Sequence, residues 1–159
     1  MVAKKMTAGD KPAKDPTIKW CRTDENHNLD LPKQQTEWSA GYDLQNITNV
    51  TFTPSVVRAV HTGWCVSIPH GYVGLVRMRS GIARKYKLTM ANSGVIDSDY
   101  RGEIIVDVAQ HRHGISTRFE EGTRLFQMIV VPCVHWKSEE VPFLDETERG
   151  ESGFGSTGQ

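Results

Sequence analysis

Short runs rich in valine, isoleucine, threonine and aromatic residues recur along this chain, with glycine, proline or aspartate between them. Thr17–Cys21, Thr51–Pro54, Val56–Val60, Gly63–Ile68, Tyr72–Met78, Glu103–Ala109, Ile115–Phe119 and Leu125–Val134 each read as a strand. Pro69-His70-Gly71 and Glu121-Gly122 supply turns between them. The one helical candidate is short, from Gly81 to Lys87. Strands this short and this evenly spaced specify an all-β sandwich or barrel, without internal repeats.

A chain of 159 residues forms one domain with a core of its own. Lysine plus arginine equals aspartate plus glutamate, 19 of each, so no global field draws in nucleic acid or a membrane surface. A polyanionic ligand must be met by local cations, and Arg77, Arg79, Arg84, Lys85 and Lys87 lie close in sequence. No apolar run approaches membrane-spanning length, and no signal-peptide pattern is present. Residues 1–16, with four lysines, two aspartates and two prolines, read as a disordered lead. Three scattered cysteines, Cys21, Cys65 and Cys133, fit neither a disulfide framework nor metal spacing. They suit a reducing compartment, hence the cytoplasm, or the host-cell interior for a viral protein. His111-Arg112-His113 has no acidic or thiol partner at ligand spacing and reads as a loop.

Gly94-Val95-Ile96-Asp97-Ser98-Asp99-Tyr100-Arg101-Gly102-Glu103-Ile104 is a polar hairpin turn between apolar runs. Strand alternation sends Ile96 inward and leaves the Asp97 carboxylate facing a cavity. Tyr100 adds a flat face and a hydroxyl. Such a hairpin either is an acidic turn with backbone purposes only, or holds a small ring and activates a water. The end of the chain, Arg149-Gly150-Glu151-Ser152-Gly153-Phe154-Gly155-Ser156-Thr157-Gly158, has four glycines in ten residues and no cheap regular structure. It either frays as an ordinary terminus, or closes over a phosphorylated ring compound through its arginine, aromatic ring and glycine amides.

Three further pieces complete a pattern: Ser39-Ala40-Gly41-Tyr42-Asp43-Leu44, Arg79-Ser80-Gly81-Ile82-Ala83 and Arg124-Leu125-Phe126-Gln127-Met128. In order and composition the five segments resemble the five motifs of the trimeric dUTPases, from about Thr36 to Gly158. Departures are Met78 where the family has proline, Leu125-Phe126 where it has Ile-Ala, and Ser152 where it has glycine.

The resemblance implies a distorted β jelly roll over residues 17–143, a glycine-rich arm over 144–159 and a homotrimer with shared sites. It implies hydrolysis of dUTP to dUMP and pyrophosphate, limiting uracil in DNA and supplying dUMP for thymidylate synthesis. Asp97 would act as general base, Gln127 would hold the attacking water and Arg124 would brace an acidic residue. Arg79, Ser80 and Gly81 would bind the phosphates, with Arg149 as a finger from another chain and Gly155, Ser156 and Thr157 on the terminal phosphate. Asn92, Gly94, Val95, Ile96 and Asp97 would read the uracil, Tyr100 would pack on the sugar and Phe154 would stack on the base. Asp43 would touch Mg²⁺ through water. Two alternatives stand beside this: a nucleotide-gated regulatory binding protein on the same scaffold, and a dCTP deaminase-like enzyme.

Overall fold

The computed structural model describes residues 17–24, 28–111 and 114–151. The lead at 1–16, and Phe154, Gly155, Ser156 and Thr157 of the proposed arm, lie outside the described residues.

In chain order the elements are β1 (Lys19–Arg22), β2 (Gly41–Gln45), β3 (Val50–Phe52), β4 (Arg58–Ser67), β5 (Tyr72–Met78), α1 (Ser80–Tyr86), β6 (Leu88–Met90), β7 (Val95–Ile96), β8 (Glu103–Gln110), β9 (Thr117–Phe119) and β10 (Arg124–Pro132). They form two four-stranded sheets, ordered β1-β4-β8-β6 and β2-β10-β5-β7, and a ribbon of β3 with β9. Every pairing is antiparallel. This is a jelly roll. Its core draws on both sheets and the ribbon: Leu44, Val76, Ile96 and Met128 from one sheet, Val60, Leu88, Ile104, Val106 and Val108 from the other, and Phe52 and Phe119 from the ribbon. Strand β8 shows the period-two logic directly, with Ile104, Val106 and Val108 inward and Ile105 outward.

Three features differ from the sequence reading. The runs Val56–Val60 and Gly63–Ile68 join into the single strand β4, because Gly63 is a bulge and not a break. Its φ of 73° suits glycine, and the register with β8 shifts between His61 and Cys65. The bulge's polar groups are satisfied: Gly63 N–H donates to Glu103 Oε1 at 2.8 Å, and Thr62 Oγ1 donates to Ile104 O at 2.7 Å. Second, the Asp97 turn is no hairpin. Strand β7 pairs with β5 in one sheet while β8 pairs with β4 and β6 in the other. The turn therefore arches across the sandwich, and its two strands bury their inner side chains toward each other instead of sharing a ladder. Third, Gly41–Gln45 and Leu88–Met90 form strands that their composition did not announce.

A second bulge shapes the region that matters most below. Between Arg124 and Phe126 the β10–β2 register slips by one, so Leu125 and Phe126 are buried in succession. Beyond Pro132 the described chain to residue 151 forms no further strand or helix.

The aromatic cluster of Phe52, Phe119 and Tyr86 lets the core be tested. Phe52 meets Phe119 edge-on at 5.8 Å between centroids, and Phe119 meets Tyr86 at 4.8 Å. Phe52→Ala should cost about 3–5 kcal/mol in chemical denaturation. A loss under about 1 kcal/mol would mean that the ribbon is no part of the core.

Candidate active site

The strand register brings the first, second and fourth sequence segments together. Gln127 lies opposite Asp43 on β2 and opposite Arg77 on β5, in the middle of one sheet. Gly41 makes room for it: a Cβ there would come within 3.0 Å of Gln127 Oε1. Strand β5 then leads through Arg79 into α1, and the Arg79 N–H donates to Leu125 O in the bulge at 3.0 Å. A cavity of about 590 Å³ opens here, lined among others by Asp43, Arg79, Ser80, Gly81, Lys85 and Gln127.

Asp43 is the electrostatic centre of this cavity. Its carboxylate is only 10 % exposed and sits between two guanidiniums, 3.5 Å from Arg79 Nε and 3.5 Å from Arg124 Nη1. The bracing partner expected for Arg124 is thus Asp43. Arg79 also donates through Nη1 to Arg124 O at 3.4 Å. These contacts occupy a subset of its five N–H donors, so further anionic oxygens can be accepted. Ser80 and Gly81 open α1, where backbone N–H groups have no partner within the helix. A Cβ on Gly81 would meet nothing within 4 Å. That glycine keeps space open beside the amides without being demanded by this chain's own packing.

The third segment builds a separate, smaller cavity of about 220 Å³. It is lined by Asn92, Gly94, Val95, Ile96, Asp97 and Tyr100 among others. Gly94 has φ +67°, and a Cβ there would lie 2.6 Å from Val76 O, so only glycine fits. Val76 N–H in turn donates to Gly94 O at 2.7 Å. Strand β7 is the last in its sheet, so its outer edge presents N–H and C=O groups that no ladder uses. Asn92 Nδ2 donates to Ile105 O at 3.2 Å, while its Oδ1 is buried without a partner. Asp97 is exposed, and a tight turn follows it, with Tyr100 N–H donating to Asp97 O at 3.1 Å. The Tyr100 hydroxyl folds back to donate to Glu103 O at 3.0 Å. Gly102 permits this, since a Cβ there would lie 2.6 Å from Tyr100 Cζ.

On one chain the two cavities share no lining residue. Gln127 pairs with Arg77, and Ile96 pairs with Gly74, on the same strand β5. At about 3.3 Å per residue and about 4.8 Å between strands, Asp97 and Gln127 lie roughly 15 Å apart at their Cα atoms. Arg149 is exposed in a turn closed by Gly150 N–H donating to Thr147 O at 3.0 Å, and it lines neither cavity.

Of the clustered cations Arg77, Arg79, Arg84, Lys85 and Lys87, the five segments single out Arg79 alone, yet Lys85 also faces the site. It lines the larger cavity, its Nζ 5.0 Å from the Tyr86 ring centroid. The available signal was helical spacing: Lys85 lies four residues after Gly81 and so returns to nearly the same face of α1.

A family model described as dUTPase matches residues 27–158 of this chain. The deoxyuridine 5'-triphosphate nucleotidohydrolase of Beijerinckia indica is 41% identical over 152 residues, covering 92% of this chain and 94% of that protein. The enzyme of the same name from Ehrlichia canis is 41% identical over 138 residues, covering 84% of this chain and 90% of that protein. Among solved structures, the dUTPase of Staphylococcus bacteriophage 80alpha with dUpNHpp superposes with a TM-score of 0.79 at 28% identity. That match covers 90% of this chain and 99% of the phage protein.

The two glycines give opposite expectations. Gly94→Ala should destabilise by about 1–3 kcal/mol through backbone strain. Gly81→Ala should leave stability unchanged or raise it by up to about 1 kcal/mol, as alanine favours a helix. Equal denaturation midpoints for the two variants would contradict the geometry of both cavities.

Proposed function

The chain belongs to the dUTPase family, and we infer that it hydrolyses dUTP to dUMP and pyrophosphate in sites shared between the copies of a homotrimer. The observation that carries the shared site is the separation of the two cavities on one chain. Asp97 and Gln127 line different cavities that have no lining residue in common, so a general base and a water-holding amide are not brought to one water molecule within a single chain. The smaller cavity also falls below the roughly 300–1,000 Å³ of ordinary ligand sites. Joining the Asp97 cavity of one copy to the Arg79–Gln127 cavity of another resolves both difficulties.

In the joined site, uracil lies along the outer edge of β7. Backbone groups between Asn92 and Asp97 complement its donor and acceptor pattern, and the unpartnered Asn92 Oδ1 offers a further acceptor. Cytosine inverts part of that pattern and would leave buried polar groups unpaired, a larger penalty than a lost weak contact. Thymine's methyl meets the wall of the turn. Tyr100, held by Glu103 O, packs against the sugar where a ribose 2′-hydroxyl would intrude. Arg79 and Ser80 hold the phosphates together with the amides opening α1, and Lys85 adds a cation nearby. Asp97 takes the proton of a water that attacks the α-phosphorus in line, and Gln127 orients that water.

Mg²⁺ fits this arrangement only as a partner of the substrate. Among the described residues no group of three or more His, Cys, Asp or Glu could hold a metal ion, and Asp43 is already held between two arginines. A single carboxylate reached through water, with phosphate oxygens completing the shell, is the usual manner of magnesium. When bound it would neutralise charge on the phosphate chain.

The arm crosses to a neighbouring copy. Beyond β10 the chain carries Trp136, Phe143 and Leu144, each more than 80 % exposed, which a chain folded on itself leaves in water. Arg149, Phe154, Gly155, Ser156 and Thr157 then close the site, excluding water and stacking on the base. The nucleotidohydrolase relatives favour the hydrolase over the deaminase alternative. Among the described residues no helix is long and apolar enough to cross a membrane.

Asp97→Asn should lower turnover by about 10²–10⁴ with dUTP binding retained. Truncation after Thr147 should abolish turnover and spare assembly. Reassembling the two variants together should restore part of the activity, since mixed trimers unite an intact Asp97 with an intact arm. No recovery in mixed trimers verified by native mass spectrometry would refute sharing. Separately, Tyr100→Ala should raise the rate on UTP relative to dUTP, and an unchanged ratio would remove Tyr100 from sugar selection.

A further inference from the structure

We propose that Cys21 and Cys65 are a reversible redox-modification site, closing to a cross-strand disulfide that fastens the first strand to its sheet. Neither residue lines the cavities described above, so this inference is independent of the proposed reaction. Far apart in sequence, the two cysteines are direct partners in the β1–β4 ladder. Partners across an antiparallel pair point to the same face. Trp20 packs against the core and Val66 is buried, so the intervening Cys21 and Cys65 share the opposite face.

The register sets the spacing. Thr23 N–H donates to Gly63 O at 3.0 Å, two positions along the same ladder. Ladder types alternate, so Cys21 and Cys65 form a hydrogen-bonded pair with Cα atoms about 5.5 Å apart. A disulfide needs about 4.4–6.8 Å there. The Cβ atoms of such a pair start near 5.5 Å and must close to about 4 Å, so the bond forms with some strain. Strained disulfides are the readily reduced ones. Movement is available, because β1 has four residues and lies at the edge of its sheet.

The two thiols are not equivalent. Cys21 is exposed, whereas burial, with Cys21 and Glu103 nearby, pushes the Cys65 thiol up. Cys21 is therefore the entry point for an oxidant and Cys65 the resolving thiol. With a small-molecule disulfide as oxidant, the Cys21 thiolate attacks one of its sulfurs and expels the first thiolate. Cys65 Sγ, losing its proton to solvent, then attacks Cys21 Sγ and expels the second. The protein loses two protons and two electrons, together two hydrogen atoms, and the oxidant, on taking them up, becomes two thiols. The closed loop from Cys21 to Cys65 encloses β2 and Asp43.

The full-length protein, incubated natively with oxidised glutathione, acid-quenched, denatured and alkylated with N-ethylmaleimide, provides the test. The expected chain has lost two hydrogens, about 2 Da, carries one adduct at Cys133 and yields a linked Cys21–Cys65 peptide. Dithiothreitol before quenching should restore three alkylated cysteines. In Cys65→Ser, glutathione should remain on Cys21; in Cys21→Ser, Cys65 should stay reduced. The proposal is overturned by three alkylated cysteines after oxidation, by a stable glutathione adduct on wild-type Cys21, by a link to Cys133, or by failure of dithiothreitol to reverse the change.

Discussion

The pairing of β10 with a strand on each side is the constraint from which the larger cavity follows. Its ladder fixes Gln127 between Asp43 and Arg77. A slip of one residue on either side would turn Gln127 or Asp43 into the core. Beside the bulge at Leu125 the β5 ladder runs on by one pair, Arg79 N–H donating to Leu125 O, and Arg124 meets Asp43. The hydrogen bonds of one central strand thereby order three stretches of chain that are distant in sequence.

Charge is arranged on the same economy. One carboxylate holds two arginines, and each arginine retains donors for an anion. A net charge of zero over the chain coexists with this local concentration of cations. Substrate recognition can then be strong at the site without a long-range field that gathers unrelated polyanions.

Much of the fold was legible in the sequence because inward-facing residues alternate cleanly where one face is buried, as in Glu103–Gln110. The short helix was legible too, placed within a residue of Ser80–Tyr86. What stayed hidden was pairing. Nothing in Val95-Ile96-Asp97 tells whether the strand after the turn is its ladder partner or faces it across the core. Gly63 looked like punctuation because glycine's freedom serves a bulge and a break equally. Gly41–Gln45 was hidden because glycine and aspartate are poor strand formers, and it is a strand only through its contact with β10. The residues proposed for the site were chosen by motif, but their distribution over two cavities is a property of the topology. Two departures from the family pattern, Met78 and Phe126, are ladder partners, so one substitution faces the other in the same pair.

The order of strands in that sheet also governs how the chain comes into being. Strand β10 lies between β2 and β5, so both wait for a neighbour that is synthesised after every other described strand. At about 5–20 residues per second, roughly 4–16 s separate the emergence of β2 from that of its partner. During that interval Leu44, Val76 and Ile96 have no completed sheet to cover them. A nascent chain halted before Arg124 would therefore keep half of its sandwich open, and long-range pairings of this kind are the slow and aggregation-exposed ones. Production of this protein in a cell is thus most vulnerable just before its last strand leaves the ribosome.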